Sequence, residues 1–218
     1  MKVTIEQVMS NASVRSYIKK ADESLSALGY TEHSFAHVGR VARLAKHILT
    51  TLGYPEREAE LAEIAGYLHD IGNVINRIDH AQSGAVMAFR ILDKMDAEPE
   101  EIATIITAIG NHDESTAFPV NAVAAALIIA DKTDVRSNRV RNNDTKNYDI
   151  HDRVNYSVKR SDVTVTEGSV ALDIDIDTDF CPVVEYFEIF LDRMLLCRKA
   201  AEKLGCTFKL IINGQRMI

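Results

Sequence analysis

The spacing of apolar residues changes at about residue 148, and this change constrains the fold more than any other feature of the chain. Before it, apolar residues recur every three to four positions, which is typical of amphipathic helices. After it, apolar and polar residues alternate in segments 162–166 and 170–176 around Glu167-Gly168-Ser169, which is typical of a β-hairpin with one buried face. A helical segment, 182–204, and a third strand, 206–212, follow the hairpin.

The first part of the chain is therefore predicted to be a bundle of helices. Its predicted helices are one or two over residues 4–28, then 34–52, 55–68, 82–95, 99–112 and 119–131. The helix that ends at Asp131 is apolar on every face, so we expect it at the centre of the bundle. The predicted fold class is mainly α with a small C-terminal β-β-α-β appendage, or α+β overall. We divide the chain into a helical domain over 1–150 and an appendage over 151–218 that packs on it.

His69 and Asp70 stand side by side at the end of an apolar helical run, 61–68, with Gly72 two residues beyond them. Adjacent His and Asp side chains cannot both be ordinary core residues. Four more potential ligands lie on or beside helical segments: His37, His80, His112 and Asp131. Imidazole with carboxylate is the ligand mixture that Fe, Mn, Zn or Co prefers, and it suits a hydrolytic or oxygen-activating site.

Taken singly, each of these residues also has a purely structural explanation. His37 and His80 can lie at helix starts, His112 can interact with the dipole at a helix end, and Asp131 can simply end the buried helix. Taken together, the structural explanation is weaker, because a central apolar helix would have to end in Asp while three other helices begin or end in His. We therefore favour a metal site.

The local sequences around these residues resemble the HD-domain superfamily of metal-dependent phosphohydrolases. Three segments carry the resemblance: 32–42 (EHSFAHVGRVA), 66–73 (GYLHDIGN) and 129–134 (IADKTD). It covers roughly residues 31–136, and the C-terminal part of the chain has no counterpart in it. His80 and His112 match the additional histidines of the subfamilies that hold two metals, which include bacterial diadenosine tetraphosphate hydrolases and HD-GYP phosphodiesterases. The full HD-GYP signature is absent.

The resemblance implies a helical fold and two divalent metal ions, such as Fe or Mn. The first metal would be bound by His37, His69, Asp70 and Asp131. Asp70 would bridge to the second metal, and His80 and His112 would complete its site. His69 and Asp70 are also predicted to be catalytic, together with Lys132.

A basic stretch follows the last of these residues. Residues 132–146 contain Lys132, Arg136, Arg139, Arg141 and Lys146 against only Asp134 and Asp144. Because Lys and Arg bind phosphate oxygens, we predict that Lys132 and Arg136 bind substrate phosphate, on the expectation that the helix continues past Asp131. Asn73 is a third candidate, since it stands where many relatives have Lys. His33, His47 and His151 are predicted not to be ligands.

The leading functional prediction is hydrolysis of a phosphoester or phosphoanhydride in a small nucleotide-like substrate by a metal-bridging hydroxide. The first alternative is a di-iron HD-type oxygenase that acts on a small polyol or phosphonate. The second is a non-catalytic HD module that senses a nucleotide. The ligands do not separate the first two, and loss of a ligand would have been the simplest sign of the third.

Composition narrows the range of partners. A net charge of −7 argues against broad binding to nucleic acid, although metal ions and local bases can still attract a small anionic phosphorylated substrate. No apolar stretch reaches the roughly 20 residues that span a bilayer, and the first residues lack the apolar core of a signal peptide. The three cysteines form no CxxC pair. We therefore expect a cytoplasmic protein without membrane or nucleic-acid partners, and leave a homodimer open.

Overall fold

The computed structural model describes residues 2–142 and 144–218. Its α-helices are α1 (Ile5–Ser10), α2 (Ala12–Ala27), α3 (Phe35–Thr51), α4 (Glu56–Leu68), α5 (His80–Asp93), α6 (Pro99–Gly110), α7 (Ala122–Lys132), α8 (Ile150–Ser157) and α9 (Val183–Lys203). Its strands are β1 (Val158–Thr166), β2 (Ser169–Ile176), β3 (Thr207–Ile212) and β4 (Gln215–Arg216). Short 3-10 helices lie at Ile71–Val74, Ser137–Arg139 and Thr145–Asn147. No helix in the described ranges is both long and apolar enough to cross a bilayer.

The predicted fold class is confirmed, because the described strands all follow residue 157 and everything before them is helix or loop. The strands form one sheet in the order β1-β2-β3-β4. Strands β1 and β2 form the predicted antiparallel hairpin. Helix α9 connects β2 to β3, and β3 pairs parallel with β2. The two-residue strand β4 was not predicted, and it pairs antiparallel with β3.

Local side-chain bonds set several helix ends. Thr4 and Gln7 form a reciprocal capping box at α1, and Asn11 then caps α2 by accepting from Ser13 N, so the first predicted segment is two helices. Helix α7 begins at Ala122 rather than 119, because the Asn121 side chain accepts from its third amide. Helix α5 begins at His80, two residues earlier than predicted.

Helix α7 lies at the centre of the bundle, as predicted. It packs against α3, α4, α6 and α9, and its residues from Val123 to Ala130 are buried. Helices α3 and α4 approach each other closely at Gly66, where a Cβ atom would lie 2.8 Å from the Cα atom of Ala42. This close contact brings the first turn of α3 beside the C-terminal end of α4.

Candidate metal centre

The structure brings the six predicted metal ligands together at one point of the bundle. They are His37 in the first turn of α3, His69 and Asp70 just after α4, His80 at the start of α5, His112 just after α6, and Asp131 in the last turn of α7. The four rings and Asp70 are buried. Since every one of these residues lies at or near a helix end, five helix termini converge on the centre.

One set of donor atoms surrounds a common point. Oδ2 of Asp70 lies 3.6 Å from Nε2 of His37 and 3.3 Å from Nε2 of His69. Oδ1 of Asp131 lies 3.4 and 3.7 Å from the same two nitrogens. Donor atoms about 2.1 Å from a shared ion are about 3.0 to 3.4 Å apart at octahedral or tetrahedral angles. These four atoms are therefore spaced closely enough to bind one metal ion with little rearrangement.

A second set of donor atoms lies on the other side of Asp70. Its Oδ1 is 3.6 Å from Nε2 of His80, and that nitrogen is 3.2 Å from Nε2 of His112. The two oxygens of one carboxylate thus face two different groups of histidines. A bridging ligand requires such an arrangement, and the bridging role that the resemblance implies for Asp70 stays a prediction.

The four histidine rings share one hydrogen-bonding pattern: each Nδ1 donates to an oxygen outside the centre. The acceptors are Asp134 for His37 (2.8 Å) and the carbonyl oxygens of Gly66 for His69 (2.8 Å), Arg77 for His80 (3.0 Å) and Ile109 for His112 (2.6 Å). Because these oxygens can only accept, Nδ1 carries the proton in each ring and Nε2 presents a lone pair to the centre. Histidines that bind metals are usually oriented in this way.

Three atoms of the first set are buried without any hydrogen-bond partner among the described residues: Nε2 of His37, Nε2 of His69 and Oδ2 of Asp70. Buried polar atoms in proteins almost always have a partner. Three unpartnered atoms, each a potential ligand, that face the same point fit a divalent cation. The nitrogen and oxygen donors suit Fe, Mn, Zn or Co and do not choose among them.

The charges of the centre favour the ligand forms of Asp131 and His112. Burial opposes ionisation of Asp131, but Lys132 and the neighbouring histidines hold the pKa of its carboxyl well below the usual range. Burial, with His69 and Lys132 nearby, lowers the pKa of His112 to about 3. At neutral pH the Asp131 carboxyl is therefore ionised and the His112 ring is neutral.

Asp134 has a role that the sequence did not suggest. Its carboxylate accepts the Nδ1 proton of His37 and is itself held by Arg136 at 2.6 Å and by Arg40 at 3.1 Å. Asp134 is the last residue of the segment 129–134 that carries part of the resemblance, three residues after Asp131. Its partner His37, however, is 97 positions away in sequence. Only the packing of α3 against α7 shows that it orients a candidate metal ligand.

We expect Asp134→Asn to weaken metal binding about 10- to 100-fold, since the groups that orient a ligand commonly contribute that much. The substitution removes the charge that fixes the His37 ring but leaves its Nε2 in place. Competition with a chelator measures the Mn²⁺ affinity. Asp93→Asn, on the exposed side of α5, is the control and should bind like the wild type. Equal affinities of both variants would mean that His37 is held without Asp134.

Two of the three predicted phosphate-binding residues are engaged elsewhere. Helix α7 ends at Lys132, so the expected continuation of the helix is wrong, and Arg136 turns to Asp134 with Nε at 2.6 Å and a terminal nitrogen at 3.0 Å. The side-chain amide of Asn73 donates to the main-chain oxygen and to Oδ1 of Asp70, at 3.0 and 2.9 Å. Asn73 therefore holds the Asp70 carboxylate, and Arg136 holds Asp134.

Lys132, the third, lies at the centre. Its Nζ is 2.7 Å from Oδ2 of Asp131, the oxygen that does not face His37 and His69, and 3.4 Å from Oε1 of Glu114. Burial opposes the charge on Lys132, but these two carboxylates raise the pKa of its ammonium group. Lys132 therefore fixes Asp131 and carries a positive charge at the surface of the adjoining cavity.

A cavity of about 590 Å³ opens onto the centre. Asp70, His80, His112 and Asp131 form its inner wall. Its basic lining residues are Arg77, Lys132, Arg139 and Arg193, and residues 28–31 together with part of α8 complete it. The sequence predicted a role for Lys132 alone among these four cations. Arg139 was named in the basic stretch without a role, and Arg77 and Arg193 were missed.

The three histidines predicted not to be ligands belong to none of the ligand clusters found in the described ranges. His33 and His151 nevertheless line the cavity. The ring of His33 lies edge-on to that of His37 with the centroids 5.3 Å apart, and its Nδ1 donates to the carbonyl of Thr31. His47 is exposed on α3, away from the centre.

Comparison with known proteins finds similarity to one family. Residues 34–138 match the model of the HD domain family. The chain is 26% identical over 190 residues to the uncharacterized protein MJ1020 of Methanocaldococcus jannaschii. The aligned region covers 77% of this chain and 72% of that protein. It is also similar to the crystal structure of a predicted HD superfamily hydrolase from an uncultured Thermotogales bacterium, with a TM-score of 0.45 and 23% identity, over 57% of this chain and 68% of the other.

Proposed function

Since residues 34–138 are an HD domain, we propose that this chain is a metal-dependent phosphohydrolase that binds two divalent ions and cleaves a phosphoester or phosphoanhydride of a small nucleotide-like molecule. The observation that carries the proposal is the division of the Asp70 carboxylate between two groups of buried imidazole nitrogens. Two adjacent ions are the usual means by which hydrolases act on phosphate esters.

The cavity supports an anionic substrate of modest size. Its volume of about 590 Å³ lies within the range typical of small-molecule sites. Four cationic side chains line it, together with four carboxylates: Asp70, Asp131, Asp149 and Asp152. Divalent ions in the centre would offset the charges of Asp70 and Asp131, so that the cavity would attract an anion although the whole chain carries a net charge of −7.

Different residues of the chain would have different roles in such a reaction. Divalent ions in the centre would supply a water molecule of lowered pKa and neutralise phosphoryl charge. Asp70 would hold the two positions at a fixed separation, and the Nδ1 bonds keep the four rings in the orientation that ligation requires. Lys132 keeps Asp131 ionised and oriented.

The proposal is tested by phosphate release from nucleotides, 4-nitrophenyl phosphate and bis(4-nitrophenyl) phosphate, with Mn²⁺, Fe²⁺, Co²⁺ or Mg²⁺, in air and anaerobically. We expect hydrolysis of at least one of these substrates, its loss on chelation and its return when metal is added back. His69→Ala should be inactive, whereas His47→Ala, which changes an exposed histidine, should match the wild type. A metal-loaded protein that consumes dioxygen and releases no phosphate would support the oxygenase instead. Metal-dependent nucleotide binding without turnover would support the sensor.

A further inference from the structure

Arg77 lies in the loop between the 3-10 helix Ile71–Val74 and α5, and its guanidinium group faces the cavity. One terminal nitrogen is 3.2 Å from Nε2 of His80 and 3.5 Å from Oδ1 of Asn73. The guanidinium carbon lies 5.8 Å from the centre of the Tyr30 ring, close enough for a cation–π contact. The positive charge of Arg77 is therefore held directly beside the second group of candidate metal ligands.

The other cations of the cavity are already balanced by carboxylates. Lys132 pairs with Asp131 and Glu114, and Arg193 lies 2.5 Å from the same Glu114. Arg139 donates to the carbonyl oxygen of Asp134 and lies 3.7 Å from its carboxylate. These ion pairs leave Lys132, Arg139 and Arg193 with little free charge for a ligand.

Arg77 differs from them in this respect. Within residues 2–142 and 144–218 it forms no ion pair with a carboxylate, and its hydrogen-bond partners are the neutral side chains of His80 and Asn73. Ligation of a metal by Nε2 of His80 would replace the bond from Arg77 to that nitrogen and leave this donor of Arg77 free. A guanidinium group presents several N–H donors in one plane, and these fit two oxygens of a phosphate group. Among the cavity cations, Arg77 is thus the one whose charge and donors are best placed to receive an anion.

On the basis of the proposed function, we propose that Arg77 is the residue that binds the phosphate of the substrate, next to His80 and His112. It would supply the charge that was expected from Arg136, and it lies close to Asn73, the position where many relatives have Lys. Asn73 contributes indirectly, because the amide that fixes Asp70 also presents its oxygen to Arg77. The contact with Tyr30 limits the orientations of the guanidinium group, which reduces the entropy lost when a phosphate binds.

The experiment measures the affinity of inorganic phosphate for the Mn²⁺-loaded protein by titration calorimetry, with the metal content of every sample determined in parallel. We expect Arg77→Met to bind phosphate about 10- to 100-fold more weakly than the wild type, with unchanged metal content, because a charge-assisted hydrogen bond is lost. Arg77→Lys should fall between them, since it keeps the charge and loses the planar fork. Arg90→Met, on the exposed side of α5, is the matched control and should bind phosphate like the wild type.

Two results would overturn the inference and leave the proposed function standing. The first is an Arg77→Met protein that keeps its metal and the wild-type phosphate affinity. The second is an Arg77→Met protein that loses metal, which would assign Arg77 to the support of His80. If the wild type itself neither binds phosphate nor releases it from esters, the proposed function and the role of Arg77 both fail.

Discussion

Asp70→Ala is expected to reduce the bound metal from about two equivalents to about none. Asp70 offers one oxygen to each group of histidines, so its removal takes away the carboxylate beside His80. Among the described residues, Asp131 is then the one carboxylate that faces Nε2 of His37 and of His69. The second group would keep only two neutral imidazoles, and the first would keep three ligands with a single negative charge against a divalent cation. Because Mn²⁺ binds such ligands more weakly than the later metals of its series, we expect it to be lost when free metal is removed. Elemental analysis after reconstitution with Mn²⁺ and removal of free metal measures the stoichiometry.

Three further variants separate bridging from ordinary ligation. His80→Ala and His112→Ala should each lose about one equivalent, because the Nε2 atoms of these two rings lie 3.2 Å apart and that of His80 faces Oδ1 of Asp70. Asp70→Asn, which keeps the size of the side chain, should lose metal like Asp70→Ala, and circular dichroism shows whether both variants remain folded. Full metal content in a folded Asp70→Ala protein would falsify the bridging role.

Gly72→Ala is expected to destabilise the protein by about 3 kcal/mol or more, because the added methyl group would overlap backbone atoms of α5. It would overlap the carbonyl oxygen of His80 and lie 2.5 Å from the amide nitrogen of Gly84, both of which are backbone atoms of α5. Relief of this overlap requires α5 to move away, and His80 would move with it. We therefore expect the loss of about one equivalent of metal together with the loss of stability.

Urea denaturation measures the free energy of unfolding, and Gly168→Ala is the control. Gly168 lies in the β-hairpin turn, where an added Cβ would meet no atom within 4 Å, so the change should cost less than about 0.5 kcal/mol. A Gly72→Ala protein as stable as this control, with two equivalents of metal, would show that the contact between Gly72 and α5 is not needed to place His80.

The sequence was sufficient for those parts of the centre that depend on local structure. His69, His80 and His112 each donate Nδ1 to the carbonyl three residues earlier, so the orientation of these rings follows from the local chain path near helix ends. The helical spacing of apolar residues likewise depends on neighbours a few positions away, and it predicted most helices to within about three residues. Interactions of this range can be read from a single sequence.

Interactions between distant segments could not be read in this way. His37 is oriented by Asp134, 97 residues away, and the guanidinium group of Arg77 lies over Tyr30, a residue of another loop. Arg136 was expected near the substrate because α7 was expected to continue. Instead the helix ends after Lys132, and the hydroxyl of Thr133 bonds back to the carbonyl of Ile129. Whether a cation of the basic stretch 132–146 is paired depends on carboxylates that lie close to it in the fold, and these can come from distant segments of the chain.

Anomalous diffraction from crystals soaked in Mn²⁺ tests the two-metal centre most directly. The account predicts two peaks about 3.5–4 Å apart, the usual separation in two-metal sites. One peak should lie among His37, His69 and Asp131, the other beside His80 and His112, and both within bonding distance of Asp70. Mn²⁺ that binds elsewhere, with no peak among these six side chains, would contradict the account.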